Sequence, residues 1–539
     1  MADVARTFIL AAALAPAALF CGAASAQTAP LAPIEQASLS RDAFATGLLD
    51  RSGGALDADL WRGSSARSLE ALLDALPARP AGPSIGSAMR RVLLTPGDAP
   101  ADAGPALGGA KLRALVAAGF IEEARSIESL ASGANSDPAS VEAMATADLL
   151  SGDTDAACAK ARRVTAGGDT AFWVKLRIVC YAAANELDAA ELAFGILKEN
   201  GWADAEDEAV FAPLAAGARP KTALSPVDAV QLAAIKAMGA PLAPAFLERA
   251  DGGVVKSVAK DASRDWPTRL EAARRAAAMG VMSGPELKSL YAASGDAGAA
   301  YQAIRAMSAP ELIRDKAARI ANEIDAATGF ESLFAASVLY ADDLEALEGA
   351  LVPARDAQLF ALARLALGDA VAAERWLTSA AADVVKGLPE EQAMRFIDTA
   401  GVLAALEPAG AGRVAAAANV ALAPPRLAAV SGARSSGDLA IIVASAIDAA
   451  ARGAKGEAAL AALAASGGAE AGDPVADAVT TRAFAAAGMT ETVRRRTVEK
   501  AIAGLFPDQE PAAGAALPEA TPASAPSRLT PRLKPKRSI

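Results

Sequence analysis

Ala118-Gly119-Phe120-Ile121-Glu122-Glu123-Ala124, Ser151-Gly152-Asp153-Thr154-Asp155-Ala156-Ala157 and Ala184-Asn185-Glu186-Leu187-Asp188-Ala189-Ala190 are three versions of one pattern. The turn residue stands at 119, 152 and 185, so the period is 33 each time. Gly or Asn suits a helix end that needs positive φ, and acidic residues favour the first turn of the helix that follows. The Ala five places on lets two helices approach closely. Residues 105–204 therefore read as a helical hairpin, repeated.

Composition extends this reading to the rest of the chain. Of the 539 residues, 53% are hydrophobic but only 4% aromatic, so the apolar character comes largely from Ala and Leu, which are helix formers. Strand-like alternation is scarce. The expected fold class is all-α: an α-solenoid of stacked helical hairpins, continued by an irregular helical array and a disordered tail.

The hairpin pattern resembles the tetratricopeptide (TPR) repeat, whose consensus also sets a small turn residue five places before a small Ala on the second helix. The resemblance covers about residues 105–204, with Trp173 near the aromatic position of the first helix in the third unit. Other α-solenoids use the same Gly and Ala logic, and either geometry stacks helices. In TPR arrays the first helices line a concave groove. The corresponding positions here include Arg113, Glu142, Phe172, Lys175 and Val179. The resemblance implies a peptide groove, with Arg113 and Lys175 receiving an acidic or C-terminal carboxylate group. The Asn residues of the family's carboxylate clamp are absent from these positions.

Arg6, the apolar run from Phe8 to Phe20, and Ala24-Ser25-Ala26 before Gln27 form an export signal over residues 1–26, with cleavage expected after Ala26. The bulky Phe20 ahead of Cys21 argues against lipidation. No other stretch holds about eighteen unbroken apolar residues, so a periplasmic or otherwise exported, soluble mature chain is expected. Two cysteines then remain. The repeat frame sets Cys158 on the second helix of unit two and Cys180 on the first helix of unit three, which a solenoid stacks together. They form either a disulfide between neighbouring repeats or a pair of small buried thiols. With a sequence separation of 22, the bridge would contribute roughly 3 kcal/mol in the chain-entropy account.

Residues 27–104 read as a helical cap and linker. Leu69, Leu72, Leu73 and Leu76 form one apolar stripe ending at Pro77, a second short helix spans Ser87 to Leu94, and residues 97–109 are Gly/Pro/Ala-rich. In residues 205–506 hairpin-like turns recur without the period: Ser294-Gly295-Asp296 with Ala300, Leu367-Gly368-Asp369 with Ala373, and Ala487-Gly488-Met489. Pro244, Pro267, Pro285, Pro310, Pro353 and Pro389 mark first turns or connections. The Ala/Gly content of residues 409–473 leaves no periodicity from which to set helix boundaries. Residues 507–539 are Pro/Ala-rich and expected to be disordered, ending in a basic group of Arg528, Arg532, Lys534, Lys536 and Arg537. That tail either contacts an anionic membrane surface or simply solubilises the chain.

Several chemistries are excluded or disfavoured. The formal charge of -11 argues against a nucleic-acid partner. With no His, the Ser-His-Asp and Cys-His arrangements and His-containing metal sites are absent. Ser257-Val258-Ala259-Lys260 matches S-x-x-K without the companion motifs of penicillin-binding proteins. Glu128-Ser129 and Glu331-Ser332 echo the Glu-Ser pair of exported lytic transglycosylases, but the Gly-Leu-Met-Gln-like segment is missing. The acidic clusters Asp204, Glu206, Asp207, Glu208 and Asp342, Asp343, Glu345, Glu348 lack a Gly-bearing ligand loop and read as solvated faces. No catalytic residue, cofactor or metal site is assigned. The expected function is a non-catalytic protein-protein interaction scaffold or adaptor of the cell envelope, with a protein or peptide partner. The alternatives are an accessory or non-catalytic subunit of an envelope glycan-processing enzyme, and a structural spacer tethered by the basic tail.

Overall fold

A computed structural model describes residues 42–131, 137–164, 168–422, 437–470 and 473–506. The expected export signal over residues 1–26, its expected cleavage site and the basic tail lie outside the described residues. Twenty-six α-helices make up the described chain, and its only β feature is a single parallel bridge between Leu224 and Leu242. The expected all-α class is what the chain adopts.

The first helices are α1 (Ala66–Asp74), α2 (Pro83–Leu94), α3 (Pro105–Ala118), α4 (Ile121–Leu130), α5 (Pro138–Leu150), α6 (Thr154–Arg163), α7 (Ala171–Ala183) and α8 (Leu187–Glu199). They are followed by α9 (Ala205–Ala215), α10 (Ala229–Met238), α11 (Phe246–Arg249), α12 (Gly252–Lys260) and α13 (Trp266–Ala278). The three hairpins α3/α4, α5/α6 and α7/α8 carry the 33-residue pattern. Gly119, Gly152 and Asn185 turn between their helices at φ of 105°, 82° and 60°. Ala124, Ala157 and Ala190, five places on, are all fully buried. A larger side chain there would push each second helix off its neighbour.

Outside the repeats the reading holds less evenly. The second cap helix begins at Pro83, four residues earlier than expected, because proline suits a first helical position. Gly108 and Gly109, read as linker, lie buried inside α3. Pro267, Pro285 and Pro310 sit in first turns, while Pro353 and Pro389 are N-caps. Gly368 turns at φ 81° ahead of a buried Ala373, but the turn at Gly295 differs. There a 3-10 segment, Gly295–Gly298, advances the chain so that Tyr301 faces inward and Ala300 is exposed.

Cap, repeats and irregular array share one hydrophobic core running from Ala43 to Ile502. Two later helices are its most enclosed parts. In Ala354–Ala366 all but one residue is buried, and in Lys455–Glu470 the run Ala458 to Ala465 is buried on every side. The second run is apolar all round, as suits a helix inside a larger assembly of helices, whereas the first also buries Asp356, Gln358 and Arg364. The expected solenoid would leave its ends far apart, yet α1 and α2 pack against Lys455–Glu470, and α2 also against the last helix, Thr490–Ala503. The Ser84 amide and hydroxyl donate to the Glu499 carboxylate at 2.7 and 2.6 Å. Among the described residues no helix is long and apolar enough to cross a membrane.

Candidate functional site

The repeat hairpins do not present an open groove. α10 packs on α5 and α7, and α12 packs on α3 and α5, covering the face where a peptide was expected. The start of α12 is driven against the end of α3. A Cβ on Gly252 would stand 2.4 Å from the Ala118 carbonyl oxygen, and one on Gly253 2.6 Å from that of Val116. The Lys256 ammonium then donates to the Gly119 carbonyl at 3.0 Å, and the Ser257 hydroxyl to the Leu150 carbonyl at 2.5 Å. Neighbouring residues of α12 thus satisfy carbonyls at the ends of two repeat helices, groups that a helix leaves unpaired. This accounts for Ser257 and for Lys256, whose side chain is buried. Lys260, which completes the S-x-x-K match, pairs with Glu122 and Glu286, each at 2.8 Å.

What remains between α3, α5, α7, α10 and α12 is a cavity of about 210 Å³. Its walls are apolar: Leu150 from α5, Phe172 from α7, Val230 from α10 and Val254 from α12. Three ionisable side chains, Lys175, Asp228 and Asp251, also line it. Lys175 is committed, since its ammonium lies 2.6 Å from the buried Asp207 carboxylate. The other Asp207 oxygen accepts from Gln231 Nε2 at 2.9 Å, and Gln231 Oε1 accepts from the Val227 amide at 2.8 Å. Each polar atom of this chain is used, so the lysine is held rigidly on the cavity side of α7.

Asp228 and Asp251 are the N-caps of α10 and α12, and they behave differently. Asp228 accepts the Gln231 amide at 2.8 Å, as a capping side chain does. Burial raises its carboxyl above the usual range, opposed by that amide and by Lys175. Asp251 makes no side-chain cap bond to α12, and its carboxylate accepts no hydrogen bond from the described residues. Its backbone amide is anchored instead, donating to the Val227 carbonyl at 3.0 Å. Burial pushes the Asp251 carboxyl up to about 7, and the Asp228 charge adds to the shift.

The five expected groove residues fall in different places. Phe172 and Lys175 line the cavity. Lys175 is spent on Asp207, so it offers no free cation to an acidic ligand. Arg113 donates to Asp74 of α1 at 2.7 Å and is equally occupied. Glu142 sits half-buried near that pair, its carboxyl raised by burial against the pull of Arg113. Val179 is wholly buried and lines nothing. A carboxylate-receiving groove therefore does not form. The reason is that α9 and α1 bring their own acids, Asp207 and Asp74, to the basic side chains.

Two members of the acidic clusters depart from the solvated-face reading. Asp207 and Asp343 are buried hubs, the latter paired with Lys316 at 2.7 Å and Arg305 at 3.1 Å. Among the described residues no three carboxylates or cysteines gather in a way that could hold a metal ion. Cys158 on α6 and Cys180 on α7 stand with Cα atoms 5.6 Å apart and their sulfurs joined. That link ties the second hairpin to the helix that carries Phe172 and Lys175.

Asp228, Asp251 and the Asp207–Gln231 chain were not legible as a site. Asp251-Gly252-Gly253 ahead of Val254-Val255 was the available signal: an acid followed by two glycines at a helix start, where close backbone approach is needed. No family model, curated protein or solved structure matches this chain.

Proposed function

We propose that this protein is an exported, non-catalytic interaction scaffold or adaptor of the cell envelope, and that it engages its partner at the cavity between α3, α5, α7, α10 and α12. The observation that carries this reading is the construction of the cavity. Apolar walls surround a few fixed polar groups, the usual make-up of a binding recess, and the ionisable side chains are held by a buried network. The export signal over residues 1–26 supports the compartment, and the Cys158–Cys180 link suits an oxidising one. The hairpin turns at Gly119, Gly152 and Asn185 support TPR-like geometry for residues 105–204.

The test is site-specific photocrosslinking in cells, with a photoreactive residue replacing either Phe172 in the cavity or the exposed Val371 far along the chain. Discrete adducts at position 172 that are absent at 371 are expected, on a mature chain beginning at Gln27. Identical patterns at both positions, or an unprocessed N-terminus, overturn the proposal. A second reading, an accessory subunit of an envelope glycan-processing enzyme, is favoured by the two carboxyls beside Phe172, since sugars are held by acids and aromatic faces. Binding of soluble envelope glycan fragments by the purified protein decides for it.

A further inference from the structure

We infer that the cavity receives a primary ammonium group carried on an apolar stem, seated between the carboxyls of Asp228 and Asp251. This rests on the reading of the cavity as the binding site and specifies the ligand's chemistry. Four observations lead to it.

The first is sign. From α7 the cavity is faced by Lys175, but that charge is cancelled by Asp207 of α9. From the N-termini of α10 and α12 it is faced by Asp228 and Asp251, while α3 and α5 contribute only uncharged Ala117, Thr146 and Leu150. Two carboxyls are thus left in excess, and an anionic ligand would meet repulsion without a free cation. The second is vacancy of hydrogen bonding. Among the described residues nothing donates to the Asp251 carboxylate, and the first amide of its own helix, that of Gly252, is taken by the Ala78 carbonyl at 2.9 Å. An ammonium carries three donors and no acceptor, which fits an acceptor-only wall.

The third is shape. Phe172, Val230 and Val254 enclose the space around the carboxyls, so the group that brings the charge must have an apolar body. A cavity of about 150 Å³ admits a benzene-sized guest, so about 210 Å³ takes a butyl or phenethyl stem with its ammonium. The Phe172 ring adds a π face to which a cation is attracted. The fourth is proton linkage. Asp251, raised to about 7 by burial and by Asp228, loses its proton when a cation arrives. Affinity therefore rises as pH passes through neutrality.

The experiment is calorimetric titration of the mature, oxidised protein with butylamine and phenethylamine, against butanol and butyrate as neutral and anionic counterparts. The amines bind and the counterparts do not. Affinity rises about tenfold from pH 6 to pH 8, as the ionised fraction of an acid titrating near 7 does over that range, and protons are released in proportion. Asp251→Asn weakens amine binding at least tenfold at pH 8 and abolishes the pH dependence. A circular-dichroism melt shows that the variant is folded, and Asp228→Asn provides an independent second test. A third arm separates the sources of the group: a peptide with an internal lysine that competes with the amines assigns the site to a protein partner, and failure to compete assigns it to free amines. Equal binding of butylamine and butanol, or unchanged amine affinity in folded Asp251→Asn, overturns the inference. If the amines fail while the crosslink at position 172 stays discrete, the ligand class is wrong and the interaction reading stands.

Discussion

The chemistry of the cavity turns on which charges are already spent. Lys175 and Asp207 answer each other at 2.6 Å with Gln231 behind them, whereas Asp251 is recessed with no donor among the described residues. Two substitutions separate these roles. Lys175→Met leaves the buried Asp207 carboxylate without its cation, and removing one partner of a buried pair costs about 3–5 kcal/mol. Urea unfolding of that variant should show a loss of this order at pH 7. A loss of binding in it would therefore reflect damaged structure. Asp251→Asn has the opposite sign. The folded state holds the Asp251 proton up to about pH 7, the unfolded chain releases it near 4, and so wild-type stability falls as pH rises between those values. The asparagine variant escapes this penalty. Its melting temperature should match wild type near pH 4 and exceed it at pH 8, by the equivalent of about 1–3 kcal/mol in the ligand-free protein. Equal melting temperatures at pH 8 would show that the carboxyl carries no burial penalty.

At the level of helices, the decisive element is α12, which closes the repeat face and presents Asp251. Its seat depends on the absence of side chains at Gly252 and Gly253, whose built Cβ atoms fall within 2.6 Å of carbonyl oxygens on α3. Backbone cannot yield as a flexible side chain would. Gly253→Ala should therefore lift the start of α12 and cost about 1–3 kcal/mol, an overpacking penalty read by chemical denaturation. Amide exchange should rise at α12 and at the ends of α3 and α5, where Lys256 and Ser257 hold the last carbonyls. An alanine variant as stable as wild type would mean that this contact is slack. The repeat hairpins were readable because each is specified locally: a positive-φ residue at 119, 152 or 185 and a buried alanine five places later. α12 was not, because nothing within its nine residues says which helix it crosses. Val254, Val255 and Val258 reveal an apolar face but not its partner, and Lys256 reads as solvent-facing until the Gly119 carbonyl is placed beside it. Arg113 and Lys175 were legible as first-helix positions for the same local reason. Their acids, Asp74 and Asp207, lie 39 and 32 residues away and were beyond any periodic signal.

Over the whole chain, contacts far apart in sequence weld what composition divides. The sequence changes character at 105, 205 and 507, yet the core is continuous from Ala43 to Ile502 and the cap packs on helices near the end of the described chain. Part of this junction is polar and specific. The Ser84 amide and hydroxyl both donate to Glu499, the Gly456 amide donates to the Leu60 carbonyl at 2.8 Å, and Lys455 pairs with Asp57 at 2.9 Å. A linear repeat array unfolds from its ends, because each unit touches only its neighbours. Here both ends are covered by each other, so fraying one exposes the apolar face of the other, and unfolding should be cooperative across cap, repeats and array. Calorimetry of the mature protein should accordingly give one transition, with calorimetric and van't Hoff enthalpies in agreement. Glu499→Ala removes the acceptor for two donors at the start of α2, at a cost of about 1.5–3 kcal/mol for charged hydrogen bonds. If the junction sets cooperativity, this variant should separate an early transition, with protease cleavage in the loop between α2 and α3 appearing at the lower temperature. A wild-type protein that already melts in two steps would show instead that cap and repeats fold independently, and that their shared core contributes little to holding them together.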